Sequence, residues 1–377
     1  MNTDPELRER LDRAAARVRI DTEWRLGEIH RSAPRRQRIR RVGALAVALV
    51  FALASVGVAW QLLHLRAGPA TPGADVGLSG RIAYMQLTKP LTQKDSSDMF
   101  VLDAASGRVA ALHEGTGFSV WPQWSPGGSR LAYASNETAQ GETGIFVARA
   151  DGTDPVNILE GRLLQDGGPI SLSWSPDGSR IAFVGEDLGT GQTGVWTVNP
   201  DGSDRRLVLD GRWDAVSWSP NGQWLLLSGA PAGAEQVDLY TVGLDGSGLV
   251  RLTDDEAVER SPSWSPDGTR IVFAETTVEF HNKDYGQDVF VMNAEGSNLR
   301  RVTAWKGLDS FPVWAPNGKW LAFASDRDAT PDQQLRNGGG KAPLSGVSMY
   351  VMRPDGSGVA RVLDGGAVAV LPSSWTP

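Results

Sequence analysis

A short pattern of polar and hydrophobic residues recurs along most of this chain, and its clearest copy is SWSPDGTRIVF at residues 263–273. Pro266 restricts φ to about −65°, Asp267 can bond to the nearby backbone, and Gly268 accepts a positive φ, so the centre of the phrase predicts a tight turn. The β-branched and aromatic residues after the turn favour a buried strand. The phrase therefore predicts two strands joined by a turn.

Variants of this phrase surround six tryptophans, which are Trp124, Trp174, Trp218, Trp264, Trp314 and Trp375. A second apolar phrase, such as VFVM at residues 289–292, lies between successive tryptophans and is followed by a turn and one more short strand. Tryptophan spacings of 50, 44, 46, 50 and 61 residues, with four strands per unit, are typical of β-propeller blades. We predict an all-β, six-bladed β-propeller over residues 78–377.

The sixth unit is divided between the two ends of this region. Its first strand is predicted at residues 373–375, and the matching second strand is predicted at residues 81–84. Pairing of these two strands would close the ring and remove two open sheet edges.

The first 77 residues predict three further segments. Residues 1–41 have the pattern of a short helical tail and hold 12 arginines against 7 acidic residues. Residues 42–63 are predicted to form a transmembrane helix, because the uncharged run at 42–60 would span about 28 Å of a hydrocarbon core about 30 Å thick. Residues 64–77 read as a Pro/Gly linker.

The arginines before the hydrophobic run place the tail in the cytoplasm and the propeller in the periplasm or outside the cell. We therefore expect a single-pass protein of the cell membrane, anchored through residues 42–63. A cleaved signal peptide is the alternative.

Composition and charge exclude several classes of function. The chain has no cysteine, which removes disulfides, thiolate nucleophiles and Cys-ligated zinc. Its net charge is −7, and the excess of acidic residues lies after residue 41. A nucleic-acid partner is not expected, because a phosphate backbone requires a basic surface.

The phrase WSPDG, followed by Ser or Thr, Arg and an apolar strand, is complete from Trp174 and from Trp264. Together with the phrase FVMNAEGS at residues 290–297, it resembles the WD-repeat-like propeller repeats of the TolB family. Related repeats occur in tricorn-type and dipeptidyl-peptidase-type proteases. The resemblance covers residues 78–377 and implies the fold, whereas propellers host many unrelated activities. Residues 1–77 do not resemble the α/β domain that precedes the TolB propeller, so a role in the Tol–Pal system is not implied.

The long and variable loops are all predicted on one rim of the propeller, which we call the variable rim, and the Pro-Asp-Gly turns on the other. Variable loops on a rigid scaffold are where binding usually resides. The candidate ligand-binding residues on the variable rim are Trp121, Arg212, Trp213, Asp214, Glu259, Arg260, His281, Lys283, Asp284, Tyr285, Trp305, Asp326, Arg327 and Asp328.

The sequence contains no nucleophile elbow, zinc-protease helix or phosphate-binding loop. No cofactor or metal site is predicted, although the many carboxylates leave a calcium ion possible. We expect a non-catalytic binding or scaffold module for a protein, peptide or glycan. One alternative is a transmembrane signalling regulator resembling membrane-bound anti-sigma factors, with a cytoplasmic regulator on the tail. A propeller hydrolase or lyase is the other, with Asp284 and Asp326 as candidate catalytic groups.

Overall fold

The computed structural model describes residues 77–87, 97–113, 118–136, 143–160, 171–186, 191–278, 285–331, 333–334, 345–366 and 368–377. The predicted tail, transmembrane helix and nearly all of the predicted linker lie outside these residues. The described part is almost entirely β-structure, with a short 3₁₀ turn at Pro126–Gly128.

The strands form five antiparallel sheets. The first sheet contains β1 (Arg81–Leu87), β2 (Ser97–Asp103) and β3 (Val109–His113). The second contains β4 (Ser119–Trp124), β5 (Arg130–Ser135), β6 (Gly144–Arg149) and β7 (Val156–Glu160).

The third sheet has seven strands, which are β8 (Leu172–Trp174), β9 (Ile181–Glu186), β10 (Thr193–Val198), β11 (Arg206–Trp218), β12 (Trp224–Pro231), β13 (Asp238–Gly243) and β14 (Val250–Arg251). The fourth contains β15 (Glu259–Trp264), β16 (Arg270–Val278), β17 (Tyr285–Asn293) and β18 (Arg300–Arg301). The fifth contains β19 (Asp309–Trp314), β20 (Leu321–Ser325), β21 (Ser348–Met352) and β22 (Ala360–Leu363).

The final strand, β23 (Ala369–Thr376), returns to the first sheet and gives it the order β23-β1-β2-β3. It pairs antiparallel with β1, from Arg81 opposite Thr376 to Leu87 opposite Ala369. This pairing confirms the predicted closure between the two ends of the propeller region.

The seven-stranded sheet differs from the prediction of six separate blades. Strand β11 pairs with β10 as far as Asp210 and with β12 from Gly211 onward, so one strand belongs to two four-stranded sets. The strand runs on through Gly211, whose φ of 134° lies in the region that favours glycine. A Cβ atom there would lie 2.8 Å from Nε1 of Trp213 and 2.9 Å from the carbonyl oxygen of Ala230. The described residues therefore show four separate four-stranded sheets and one seven-stranded sheet.

The recurring turn has the conformation that its residues predict. In the copy at residues 265–270, the Gly268 amide donates to the Ser265 carbonyl at 2.8 Å, and Gly268 has a φ of 70°. One carboxylate oxygen of Asp267 accepts from the Ser265 hydroxyl at 2.6 Å and from the Thr269 amide at 3.0 Å. The Asp side chain thus fixes both sides of the turn and sets the register of the two strands.

The recurring tryptophans act as wedges between neighbouring sheets. The indole N–H of Trp314 donates to the Ser263 carbonyl of the preceding sheet at 3.2 Å, and that of Trp174 donates to Gln123 at 3.0 Å. An arginine from the preceding sheet covers each ring, with Arg270 at 4.8 Å from the centre of Trp314. The wedges of Trp174 and Trp314 therefore combine burial with a hydrogen bond and a cation–π contact.

The predicted membrane localisation needs correction. Within the described residues, no helix has both the length and the hydropathy needed to cross a bilayer, since this part of the chain is built from strands. This finding overturns the prediction of a single-pass membrane protein with a cytoplasmic N-terminus. The segment 42–63, on which that prediction rested, lies outside the described residues.

Candidate functional site

Three of the strands that open a sheet begin with a bulge at the variable rim. A residue before a proline adopts a positive φ in each, at 56° for Trp121, 51° for Ser261 and 53° for Phe311. The pairing register shifts at the same points in β4, β15 and β19. The other non-glycine residues with a positive φ in the described chain are Asp154, Asp204 and Asn298, whose side chains tolerate this conformation in turns.

Two of these bulges present aromatic rings that meet. The ring centres of Trp121 and Phe311 are 5.2 Å apart, and their planes are tilted by 35°. The rings come from the two sheets on either side of the closing sheet, so they meet at the axis of the propeller, where β23 lies between β4 and β19. Both side chains are only partly buried and pack on the largest apolar cluster. They form an apolar platform at the variable rim, which we call the aromatic pair.

A row of three carboxylates crosses the fourth sheet at the same rim. Glu259 on β15 lies opposite Glu275 on β16, which lies opposite Asp288 on β17. Side chains at directly paired positions share one face of the sheet, with Cβ atoms about 4.5–5.5 Å apart. We call Glu259, Glu275 and Asp288 the carboxylate row.

The equivalent rows of other sheets carry much less charge. The second sheet has Ser119, Ser135 and Gly144 at the same positions, and the fifth has Asp309, Ser325 and Ser348. In the second sheet the Ser119 hydroxyl donates to the Ser135 hydroxyl at 3.0 Å. Of these three rows, the row of the fourth sheet therefore has the most carboxylates.

Most buried carboxylates near this rim have their own arginine. Asp238 contacts Arg251 at 2.8 Å, and Asp288 is bonded to Arg301 in the same way in the next sheet. Asp309 is fully buried, and both of its oxygens accept from Arg327 at 3.0 Å. Each of these negative charges is neutralised within the described structure.

Glu259 has no such arginine. Its side chain is fully buried, and neither carboxylate oxygen has a hydrogen-bond partner. Burial raises the pKa of Glu259 to about 7, and the charges of Asp255 and Asp238 add to the rise. The nearby Thr253 hydroxyl offsets part of the rise without making a hydrogen bond of ordinary geometry.

Glu275 shares this environment from a half-buried position. Burial raises the pKa of Glu275 to about 7, with a further contribution from the charge of Asp255. Arg301 lowers the pKa in part. The two glutamates therefore face each other with pKa values near neutrality.

Several predicted rim residues meet one another around Asp326. The indole N–H of Trp305 and the amide of Leu308 donate to one oxygen of Asp326 at 3.1 Å and 2.8 Å. The amide of Trp305 also donates to Asp288 at 3.1 Å, so Trp305 links the fourth and fifth sheets. Asp328 accepts from the Tyr350 hydroxyl and pairs with Arg361 at 3.0 Å.

Other predicted residues lie apart from this group. Trp213 is buried in β11 and packs edge-to-face on Tyr240 at 5.5 Å. Arg212 donates to the Glu235 carbonyl at 2.9 Å, while Asp214 is half-buried and Arg260 is exposed. The remaining predictions fall on His281, Lys283 and Asp284, which lie outside the described residues, and on Tyr285, of which only the backbone in β17 is described.

The sequence prediction missed Glu275, Asp288 and Phe311. The recurring phrase that predicts this strand ends at residue 273, whereas β16 continues to Val278 and pairs Glu275 with Glu259. A signal for Phe311 was present, because Phe311-Pro312 occupies the same place in its repeat as Trp121-Pro122.

Among the described residues, no group of three or more His, Asp or Glu side chains is arranged to hold a metal ion.

The comparisons with known proteins agree with this architecture. The family model described as the TolB beta propeller domain matches residues 78–223 and 170–279, which together make up more than half of the chain. No curated protein matches the chain.

Solved structures with the same fold include TolB from Acinetobacter baumannii, at 18% identity and a TM-score of 0.58, with 79% of this chain and 67% of that chain covered. The putative TolB from Agrobacterium tumefaciens has 18% identity and a TM-score of 0.52, covering 79% of this chain and 100% of that chain. A chain of the nidogen/laminin complex has 13% identity and a TM-score of 0.53, covering 78% of this chain and 100% of that chain. At these identities the likeness shows a shared fold, and the family model gives the relationship: the chain belongs to the TolB β-propeller family.

Proposed function

We propose that this protein is a non-catalytic binding module whose six-bladed propeller holds a peptide segment of a partner protein on the variable rim. In this proposal the seven-stranded sheet counts as two blades that share β11. The ligand lies over the aromatic pair and against the polar groups around it. A TolB-like propeller supports a binding or scaffold role in general.

The observation that carries the proposal is the aromatic pair. Trp121 and Phe311 adopt a backbone conformation that is unfavourable by about 1–3 kcal/mol per residue, and such conformations cluster at functional sites. Two half-buried aromatic rings at the centre of a rim are the kind of anchor that dominates binding interfaces. The surrounding rim supplies the charged and polar groups that fix the orientation of a ligand.

The test compares the full chain with a Trp121→Ala/Phe311→Ala double variant on arrays of peptides and of glycans. We expect the wild type to retain a set of peptides, and the double variant to lose at least about tenfold in affinity for them. Trp224→Ala is the matched control, because Trp224 is 40% exposed at the opposite rim and lies beside the turn that opens β12.

Equal retention by the double variant and the wild type, with unchanged melting temperatures, would contradict the proposal. Retention of glycans but not peptides would contradict its choice of ligand class.

A further inference from the structure

We infer that the carboxylate row recognises a single organic cation, the ammonium or guanidinium group of a lysine or arginine side chain in the peptide ligand. This inference rests on the function proposed above and specifies the charge of the ligand. The bound cation lies between Glu259 and Glu275, at the half-exposed end of the pair.

The first step is the balance of charge in the row. It contains three carboxylates, and of the two cations near it, Arg251 is bonded to Asp238 and the second is Arg301. That guanidinium is already bonded to Asp288 and to the Thr303 carbonyl, the latter at 3.0 Å. Two carboxylates that face each other are therefore left without a partner of opposite charge, and Asp255 increases the negative potential around them.

The second step is a comparison within the same chain. Asp238, Asp288 and Asp309 are buried at the same rim, and each is bonded to an arginine. Glu259 is equally buried, yet both of its oxygens lack a partner. A buried carboxylate without a partner is strongly unfavourable, so a group supplied from outside the chain has a large interaction to gain.

The third step concerns the kind of cation. A divalent metal would need several oxygen ligands at short range, and the described residues offer no such group of three. An ammonium or guanidinium group needs only one or two carboxylates and forms charge-assisted hydrogen bonds with them. Glu275, which pairs with Glu259 across the two strands, is half-buried and so can be reached from solvent.

The fourth step is competition with protons. The titratable and charged groups facing the two glutamates are Asp238 with Arg251, Tyr240, Asp255, and Asp288 with Arg301. Because the pKa values of Glu259 and Glu275 lie at about 7, both glutamates hold protons at pH 5 and release them at pH 8. Binding of the cation therefore strengthens as pH rises from 5 to 8.

The experiment uses the full chain and two capped tripeptides, Gly-Arg-Gly and its citrulline analogue, which has the same shape without the charge. Binding is followed by isothermal titration at pH 8, and by the carboxyl ¹³C signals of labelled glutamate. We expect the arginine peptide to bind at least about tenfold more tightly than the citrulline peptide, since one charge-assisted hydrogen bond or more distinguishes them. Bound peptide should also lower the pKa of Glu259, because a nearby cation favours the carboxylate.

The variant Glu259→Gln should lose about ten- to a hundredfold in affinity for the arginine peptide and leave the citrulline peptide unaffected. Glu275→Gln is the second variant, and it reports on the same pair if Glu259→Gln fails to fold. Glu256→Gln is the matched control, because Glu256 is exposed three residues before Glu259, on the loop that precedes β15. The control should bind like the wild type.

Equal binding of the two peptides, absence of binding by either at millimolar concentration, or unchanged binding by both glutamine variants would overturn the inference. These outcomes can be told apart from failure of the proposed function. If peptides bind through the aromatic pair and the glutamine variants still hold them, the binding function stands and only the cation site is wrong.

Discussion

The buried ion pair between Asp309 and Arg327 gives a quantitative test of what the variable rim contributes to stability. Asp309 is fully buried, and both of its oxygens accept from Arg327 at 3.0 Å. The guanidinium also lies 5.2 Å from the ring centre of Phe323 and 4.8 Å from that of Tyr350. Replacing Arg327 with methionine keeps most of the packing and removes the charge.

We expect Arg327→Met to lower the free energy of unfolding by about 3–5 kcal/mol, because it leaves a buried carboxylate without a partner. The matched control is Arg361→Met in the same sheet. Arg361 pairs with Asp328 at 3.0 Å, but both side chains are exposed, so this variant should lose less than about 1 kcal/mol. The double variant Asp309→Asn/Arg327→Met should recover part of the loss, since it removes both charges.

The assay is equilibrium urea unfolding, followed by tryptophan fluorescence, at pH 5 and pH 8. Burial raises the pKa of Asp309, and the charge of Arg327 lowers it in part. Removing Arg327 should therefore raise this pKa further, and the loss of stability should be smaller at pH 5, where the carboxyl can take up a proton. The reasoning is refuted if Arg327→Met loses no more than Arg361→Met, or if its loss is the same at both pH values.

Two further predictions concern the carboxylate row and the closing sheet. Burial holds the pKa of Glu259 at about 7 against an ordinary value of 4.5, so its contribution to stability is present below pH 4.5 and is lost as pH rises through 7. The free energy of unfolding of Glu259→Gln, measured in urea, should therefore equal that of the wild type at pH 4 and exceed it at pH 8 by at most about 3 kcal/mol. A difference that is the same at all pH values would contradict this prediction. Gly80 has a φ of 90°, and a Cβ there would lie 2.2 Å from the Thr376 carbonyl oxygen, whereas Gly127 has a φ of 77° and open space around it. Gly80→Ala should lower the melting temperature clearly more than Gly127→Ala, because the Gly127 variant bears only the conformational penalty of about 1 kcal/mol. Equal melting temperatures of the two variants would show that β23 does not hold the ring closed.

The sequence predicted the strands and the closure well because both depend on local chemistry. Each Pro-Asp-Gly turn is formed by residues within six positions of one another, as the bonds of Asp267 show. The closure followed from the same pattern, because a first strand without its second was left at one end of the propeller region. Neither inference needed any knowledge of long-range contacts.

The carboxylate row and the shared strand could not be predicted in the same way. Glu259, Glu275 and Asp288 come together only through the pairing register of three strands, and β16 extends past the phrase at residues 263–273 that predicts it. The continuity of β11 depends on the φ of Gly211 and on the close approach of Trp213 and Ala230. A glycine after an aspartate usually indicates a turn, and tertiary packing overrode that preference here.

The closed ring also bears on how this propeller unfolds. Repeat arrays with two free ends lose structure from those ends, because a terminal repeat has a neighbour on one side only. In this chain the pairing of β1 with β23 gives the first and last repeats a neighbour on both sides. The Ser374 hydroxyl donates to the Pro122 carbonyl of β4, and the Val370 amide donates to the Val347 carbonyl, so both bonds join that sheet to the sheets beside it. Fraying therefore has no preferred starting point among the sheets, and the slowest amide protons to exchange should be spread around the ring instead of being confined to its middle repeats.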